Sequence, residues 1–288
     1  MKKLGLLVLS LILCGTFEMK AQVIEEPEEN LDGFYVKSSD AYPDGKKPFE
    51  YPYVREADIV WSCRIWRVID FKEKINQVFY YPIVPDQGRK NLTTILDEAL
   101  TEGRIRAFED DMFSTEITNW TEYKAKFGTT RTETLIEYDM DGMEMTRDTN
   151  IFVPANFESA EKLRIKEEWF LDKNRTVEDV RIIGFSLVAS YEKSEGDVQT
   201  LALGWIRYND PEVRLLLANS EVYNPQNDRA RRSYDDIFQK RIFDSYIIRE
   251  TNTFNRSIND YVQGADALAE SERIKEYLFN MEEDMWEY

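Results

Sequence analysis

The stretch Val180-Arg-Ile-Ile-Gly-Phe-Ser-Leu-Val-Ala-Ser-Tyr191, followed after a polar turn by Val198-Gln-Thr-Leu-Ala-Leu-Gly-Trp-Ile-Arg-Tyr208, decides the fold. Two β-rich runs joined by a short turn that contains Gly196 predict a hairpin over residues 180–208. Side chains alternate between the two faces of a strand, and in the first run both faces are largely apolar. Each face must therefore be covered. We predict an α+β fold in which this hairpin lies at the centre of an antiparallel sheet packed by long amphipathic helices.

The N-terminus has the pattern of a secretory signal over residues 1–21. Lysines precede the apolar run Leu4–Phe17, which is too short for a permanent membrane span, and Ala21 supplies a small residue at the cut. A membrane anchor is the alternative. Leu13 precedes Cys14 where a bacterial lipobox needs a small residue, so we expect no lipid attachment.

The charge of the chain is strongly acidic. Removing residues 1–21 takes away three lysines and one glutamate, so the net charge falls from −18 to −20. Such a protein does not bind nucleic acid through general electrostatics, and anionic lipid surfaces repel it. Cys63 would be the one cysteine left, which excludes an intramolecular disulfide, so the fold must rest on its core.

Composition divides the mature chain into two parts. Residues 22–50 are rich in acidic residues, proline and glycine, and they predict an extended N-terminal arm. Residues 51–288 carry the apolar periodicity, and we expect them to form one globular domain.

Apolar residues at three- and four-residue steps predict the helices. Ser233 and Asp236 form a variant of the capping box that opens the longest of them. Cys63 falls within the first, where we expect it to be a small buried residue. The predicted helices cover residues 54–75, 91–108, 211–218, 233–261 and 265–285.

Two further segments predict strands. Lys162–Asp172 alternates in polarity. Asp141-Gly142 between two alternating runs predicts a second hairpin. A calcium loop over Glu137–Asp148 is the alternative there, but its first position is Glu, its last is Asp, and no predicted helix flanks it.

The side-chain chemistry excludes several enzyme classes. The chain has no histidine, which removes Ser-His-Asp and Cys-His catalysis and the zinc motifs built on histidine. No glycine-rich phosphate loop is present. Glu167, Glu168 and Asp172 around Trp169 could serve a carbohydrate-cleaving site. The alternation favours an ordinary strand in which these acids are solvated while Trp169 and Leu171 point to the core. We therefore expect no catalytic, cofactor-binding or metal-binding residue.

One basic cluster stands out along the sequence. Arg229, Arg231 and Arg232 lie just before a predicted helix, either as solvated charges or as a docking patch for acidic groups. Arginine and aromatic residues are enriched at protein interfaces. We therefore select these arginines, with Trp286 and Tyr288 at the C-terminus, as candidate contact residues.

A series of sequence blocks, occurring in order, resembles the GldN (PorN) family of gliding-motility and type IX secretion proteins of Bacteroidota. The blocks span nearly all of the mature chain except the arm. They are Arg64-Ile-Trp-Arg-Val-Ile-Asp70, Glu73-Lys-Ile-Asn76, Tyr80-Tyr-Pro82, Glu167-Glu-Trp169, Asp172, Val180-Arg-Ile-Ile-Gly184, Ser233-Tyr-Asp-Asp-Ile-Phe238, Arg241, Ser245-Tyr-Ile-Ile248, Glu270-Ser-Glu-Arg-Ile-Lys-Glu276 and Trp286-Glu-Tyr288.

The resemblance implies a non-enzymatic structural subunit in the periplasm, without catalytic residues or cofactor. It further implies that residues 51–288 form a GldN-like domain. Its implied partners are copies of itself in a ring complex, an outer-membrane lipoprotein of the GldK (PorK) kind, and, functionally, motor components such as GldL and GldM. An envelope protein that binds or cleaves peptidoglycan through acidic residues remains the alternative.

Overall fold

A computed structural model of the chain describes residues 46–85, 88–138, 144–154, 160–175, 177–194, 197–224, 227 and 230–284. These residues belong to one compact unit, Gly45–Tyr288. The predicted signal and residues 22–45 of the predicted arm lie outside the described ranges. Within those ranges, no helix combines the length and the apolarity needed to cross a bilayer.

A five-stranded antiparallel sheet organises the fold, in the order β6 (Asp197–Arg207), β5 (Val177–Ser194), β4 (Lys162–Asp172), β1 (Ile59–Asp70) and β9 (Tyr246–Glu250). The predicted hairpin is confirmed as β5 paired with β6, and the predicted strand Lys162–Asp172 is confirmed as β4. The hairpin lies at one side of the sheet rather than at its centre, which β4 occupies. The strands are β1 (Ile59–Asp70), β2 (Gly128–Tyr138), β3 (Glu144–Pro154), β4 (Lys162–Asp172), β5 (Val177–Ser194), β6 (Asp197–Arg207), β7 (Glu221–Val222), β8 (Arg232–Ser233) and β9 (Tyr246–Glu250).

Five α-helices accompany the strands in the described part of the chain, so the α+β class is confirmed. Only three of them have seven or more residues, and the prediction of long amphipathic helices over the sheet is not confirmed. The helices are α1 (Leu92–Thr101), α2 (Trp120–Ala125), α3 (Pro211–Asn219), α4 (Tyr234–Gln239) and α5 (Ala265–Asp284), with short 3₁₀ turns at Glu56–Asp58, Asn76–Phe79 and Ile258–Asp260.

The first predicted helix is wrong, because residues 59–70 form strand β1. Five consecutive residues, Ile65–Ile69, are buried, since both faces of this strand are covered along that stretch. Continuous burial removes the alternation that identifies a strand, and the remaining apolar spacing imitates a helix. Cys63 lies in this strand and is half-buried rather than fully enclosed.

The longest predicted helix is also wrong in its extent. The capping box is confirmed, since Ser233 Oγ accepts from the Asp236 N–H while Asp236 accepts from the Ser233 N–H. The helix nevertheless ends at Gln239, and Arg241 takes a left-handed backbone conformation, with φ of 52°. The chain then turns back into β9, so tertiary pairing overrides the helical spacing of the apolar residues.

The remaining helix predictions are confirmed in place, although one is too long. Helix α1 starts at the predicted position, where Asn91 Oδ1 caps the Thr94 N–H at 2.8 Å, but it ends at Thr101 rather than at residue 108. Helices α3 and α5 occupy their predicted segments. Gly264 precedes α5 with φ of 69°, a conformation that glycine adopts without strain.

The second predicted hairpin is confirmed by the pairing of β2 with β3. Thr134 pairs with Asp148, and Tyr138 pairs with Glu144. The Asp141-Gly142 turn itself lies outside the described residues. Strands flank it on both sides where a calcium loop of the EF-hand kind needs helices.

One face of the sheet, which we name the covered face, carries the main core. Ile69 of β1, Leu163 and Ile165 of β4 and Phe185 of β5 lie on it and are essentially inaccessible to solvent. Helices α1, α3 and α4 supply the facing layer, in which Phe238 stacks on Phe185 with ring centroids 5.8 Å apart. Helix α5 packs a smaller cluster near β9 through Ile274 and Leu278.

Candidate functional site

The opposite face of the sheet, which we name the open face, is basic. In the β4 sequence Lys162-Leu-Arg-Ile-Lys166 the basic residues alternate with leucine and isoleucine, which lie on the covered face. Arg249 of β9 joins them, with its guanidinium carbon 3.5 Å from the centroid of the Trp66 ring. In a chain of net charge −18, this face gathers positive charge.

A loop formed by residues 107–117 covers one end of the open face. Phe108 extends the pairing of β6 by exchanging backbone hydrogen bonds of 2.8 and 2.6 Å with Trp205. Phe113 reaches over β5 to Gly184. A Cβ atom at Gly184 would lie 2.5 Å from the Phe113 ring and 2.7 Å from the Ile206 carbonyl oxygen, so only glycine admits this approach.

Asp111 in this loop places a carboxylate among the basic residues. Its Oδ2 accepts from Trp66 Nε1 at 2.9 Å and from Arg249 Nη2 at 2.8 Å. Lys166 Nζ lies 3.8 Å from the same oxygen and donates to the Asp111 carbonyl at 2.6 Å. Burial lowers the pKa of Lys166, and Asp111 acts against that shift. The loop carboxylate therefore serves two of the cations.

A half-open cavity of about 520 Å³ lies on the open face. All five strands of the sheet contribute to its walls. Three basic side chains, Lys162, Arg164 and Arg249, and two acidic ones, Asp110 and Asp111, line it together with aromatic and aliphatic residues.

Arg164 is the unusual member of this cavity. Its Nε atom is buried without a hydrogen-bond partner, and its guanidinium forms no hydrogen bond or ion pair with any described residue. Burial lowers the pKa of Arg164, and the charge of Arg249 lowers it further, whereas Tyr246 and Asp111 raise it. Among the described residues, none therefore neutralises the charge of Arg164 by direct contact in the cavity.

Glu167, which the sequence places among possible catalytic acids, is buried on the covered face and is not solvated. Arg241 contacts both of its carboxylate oxygens, at 2.8 and 3.1 Å. Arg67 Nε lies 3.1 Å from Oε2, and Trp169 Nε1 donates to the same oxygen at 3.1 Å. Burial lowers the pKa of Arg67, and Glu167 partly offsets that shift. This cluster joins β1 and β4 to the turn after α4.

The three candidate acids do not converge on one site. Glu168, the next residue, lies 3.6 Å from Arg64, whereas Asp172 is buried and accepts from Arg175 Nε at 2.8 Å. The Arg175 hydrogen bond lowers the pKa of Asp172. Across the described residues, no group of three or more potential metal-ligating Cys, Asp or Glu side chains assembles.

A second buried ion pair fixes α4 against α3. Arg214 Nε donates to Asp235 Oδ1 at 3.0 Å, and Tyr208 donates its hydroxyl to the same oxygen at 2.8 Å. The Phe49 N–H donates to the other carboxylate oxygen at 3.2 Å, and Phe49 O accepts from Arg214. The last residues of the predicted arm are therefore hydrogen-bonded to the helical layer.

The predicted basic cluster is only partly described. Arg231 is half-buried, and Arg232 in β8 lines an apolar cavity of about 560 Å³ beside Tyr223 and Ile242. Arg229, Trp286 and Tyr288 lie outside the described residues. Sequence analysis missed the open-face cluster, although the Lys-Leu-Arg-Ile-Lys alternation in β4 was a signal that could have found it.

A family model described as the gliding motility associated protein GldN matches residues 54–287. The chain belongs to the GldN family. The resemblance found in the sequence blocks is thus confirmed over the domain that the structure describes. Comparison with curated proteins finds no match.

The GldN sequence blocks place several of their residues at internal contacts. Glu167 and Arg241 come from separate blocks and meet in the buried ion cluster. Asp235 of another block accepts from Arg214, and Gly184 admits Phe113. These residues stabilise the fold and do not form a common reactive centre.

Proposed function

We propose that this member of the GldN family is a non-enzymatic structural subunit of the type IX secretion and gliding-motility machinery. In this proposal it works in the periplasm, in a ring complex with an outer-membrane lipoprotein of the GldK (PorK) kind. It connects functionally to motor components such as GldL and GldM. The family match over residues 54–287 carries the proposal.

The roles of the GldN block residues support a structural subunit. The buried arginine–glutamate cluster and the Arg214–Asp235 pair each join elements that are distant in sequence. Removing one partner of such a pair is strongly destabilising, because a buried charge is left without compensation. A structural subunit that bears load between its partners benefits from such ion pairs between distant elements of its own fold.

The proposal includes the processing of the N-terminus and the contact residues. Residues 1–21 act as the signal, residues 22–50 as the arm and residues 51–288 as the globular domain. Arg229, Arg231, Arg232, Trp286 and Tyr288 contact the partners. The position of Arg232 in the lining of an apolar cavity supports this choice, since arginine is enriched at interfaces.

Co-expression with the lipoprotein, affinity purification and electron microscopy test the proposal. A mature chain of net charge −20 repels copies of itself, so we expect few large particles from the isolated protein and rings when the lipoprotein is present. Arg232→Glu should weaken co-purification, whereas Lys275→Glu on α5 is the matched control.

A free monomer in both preparations, with type IX secretion intact in the deletion strain, would contradict the proposal. Cleavage of cell-wall sacculi by the purified chain would favour the peptidoglycan alternative.

A further inference from the structure

We propose that the cavity on the open face binds an acidic peptide segment of a partner protein, with Arg164 as the anchor for one carboxylate. The inference rests on the proposed function only in assuming that this chain works by binding other proteins. It assigns a site at β4, far in sequence from the candidate contacts Arg231 and Arg232.

The open face withdraws Arg164 partly from water without giving it a counter-charge. Partial loss of hydration is unfavourable for a cation that gains no partner. Arg164 is half-buried, its Nε has no hydrogen-bond partner, and no ion pair to a described residue compensates it. A carboxylate that entered the cavity would restore the missing interaction through the planar guanidinium, which matches a carboxylate with two parallel hydrogen bonds.

Asp111 shows that the open face already holds one carboxylate, which comes from a peptide loop. That carboxylate combines a guanidinium, Arg249, with the indole N–H of Trp66. Arg164 and Lys162 line the same cavity, and Lys162 Nζ lies 3.7 Å from Asp70 Oδ2. The surface therefore presents a free guanidinium, with an ammonium group nearby, to a second carboxylate.

The walls of the cavity favour a peptide over a phosphate group. A phosphate ester or a lipid headgroup would bring its negative charge close to Asp110 and Asp111, which line the same space. A single carboxylate needs less positive charge. Trp205, Val188 and Ile248 also line the cavity and can receive an apolar side chain next to the acidic residue.

Peptide titration of the full-length mature protein tests the site. The probe is a blocked peptide that alternates Glu and Leu, and the matched probe replaces each Glu by Gln. Calorimetry at low salt should detect binding of the acidic peptide only, weakening as salt rises to about 0.3 M. Arg164→Gln should weaken the affinity about tenfold or more, as expected for a lost charge-assisted pair.

Two further variants make the test specific. Arg104→Gln removes the same charge from an exposed arginine that pairs with Glu102 and does not line the cavity, so it should leave the affinity within about twofold. Lys162→Gln removes a second cation of the cavity and should weaken binding severalfold. This variant provides an independent measurement if Arg164→Gln does not fold.

The possible outcomes separate this inference from the proposed function. Equal binding of both peptides, no binding at millimolar peptide, or equal affinity of wild type and Arg164→Gln overturns the acidic-peptide site. Preferential binding of inorganic phosphate or phosphatidylglycerol vesicles through Arg164 overturns it as well. In each case co-purification with the lipoprotein would still stand as the independent test of the proposed function.

Discussion

Arg241 meets Glu167 in a two-point contact, with Nη1 2.8 Å from Oε1 and Nη2 3.1 Å from Oε2. Glu167 is inaccessible to solvent, and Arg67 approaches it from β1. Arg241 reaches this position from the first residues after α4, where its backbone is left-handed. The end of the helix and the burial of the carboxylate are thus two parts of one arrangement.

Glu167→Gln is expected to lower the free energy of unfolding by about 3–5 kcal/mol, because two guanidinium groups lose their buried counter-charge. The matched control is Glu168→Gln, which removes the neighbouring, half-exposed carboxylate near Arg64. That control should change stability by no more than about 1 kcal/mol. Urea denaturation followed by circular dichroism measures both, and equal effects would contradict a special role for Glu167.

Arg67 and Arg164 should respond in opposite ways to the same substitution. Arg67→Met leaves part of the Glu167 charge unpaired and is expected to destabilise the fold by about 3 kcal/mol. No described carboxylate pairs with Arg164, so Arg164→Met leaves none of them unpaired. The substitution also removes a cation whose pKa is lowered by burial. It should be within about 1 kcal/mol of wild type or more stable. Thermal melting distinguishes these results, and a large loss in Arg164→Met would indicate a structural partner for this arginine.

Gly184→Ala is expected to destabilise the protein by about 1–3 kcal/mol through overpacking. The added methyl group would approach both the Phe113 ring and the Ile206 carbonyl oxygen closer than real Cβ contacts allow. Phe113→Leu in the same protein relieves only the side-chain contact, so it should restore stability only in part. Complete rescue in the double variant would show that the backbone contact with Ile206 does not matter.

The processing of the N-terminus gives a prediction that mass spectrometry can check. The mature protein is expected to begin near Gln22 and to carry Cys63 as an unmodified thiol. Burial raises the pKa of the Cys63 thiol, which disfavours the reactive thiolate. Detection of a lipid-modified Cys14 at the N-terminus would contradict export by simple cleavage.

The sequence predicts correctly the elements that are buried on one side only, because their alternation of polar and apolar residues shows which side is buried. Strand β4 alternates because basic residues line the open face while apolar residues line the core, and its bounds, Lys162 and Asp172, are those predicted. Helix α5 keeps one apolar stripe, with Ile274 and Leu278 buried, and its segment is also correct. In these elements the local pattern and the tertiary environment agree.

The failures lie where tertiary contacts cover both sides or interrupt a pattern. Strand β1 is buried on both faces around Trp66, so its apolar residues show no alternation. The stripe after Ser233 continues past the end of α4, but Arg241 leaves the helix to contact Glu167. The alternation of basic residues in β4 indicates one part of the open-face cluster, but the position of Arg249 near them depends on strand order and cannot be derived from local spacing.

The pH dependence of Glu73 offers a separate test of the electrostatics. Glu73 is half-buried near Asp244 and Asp70, and it accepts from Asn76 Nδ2 at 2.9 Å. Burial raises the pKa of Glu73, and the two neighbouring carboxylates raise it further, whereas the Asn76 hydrogen bond lowers it. The folded state therefore binds more protons than the unfolded state between the ordinary glutamate pKa and the raised one. Stability must fall as pH rises through that window.

Glu73→Gln removes this ionisation while its amide oxygen can still accept from Asn76. We expect the variant to be more stable than wild type at pH 7, where the carboxylate is charged in both states and its burial is unfavourable. The advantage should shrink to nothing as pH falls to about 3, where the carboxyl is largely protonated in both states. Glu276→Gln, on the exposed side of α5, controls for the general decrease in negative charge. Urea unfolding at both pH values decides the matter, because an advantage that is the same at pH 7 and at low pH cannot arise from the ionisation of Glu73.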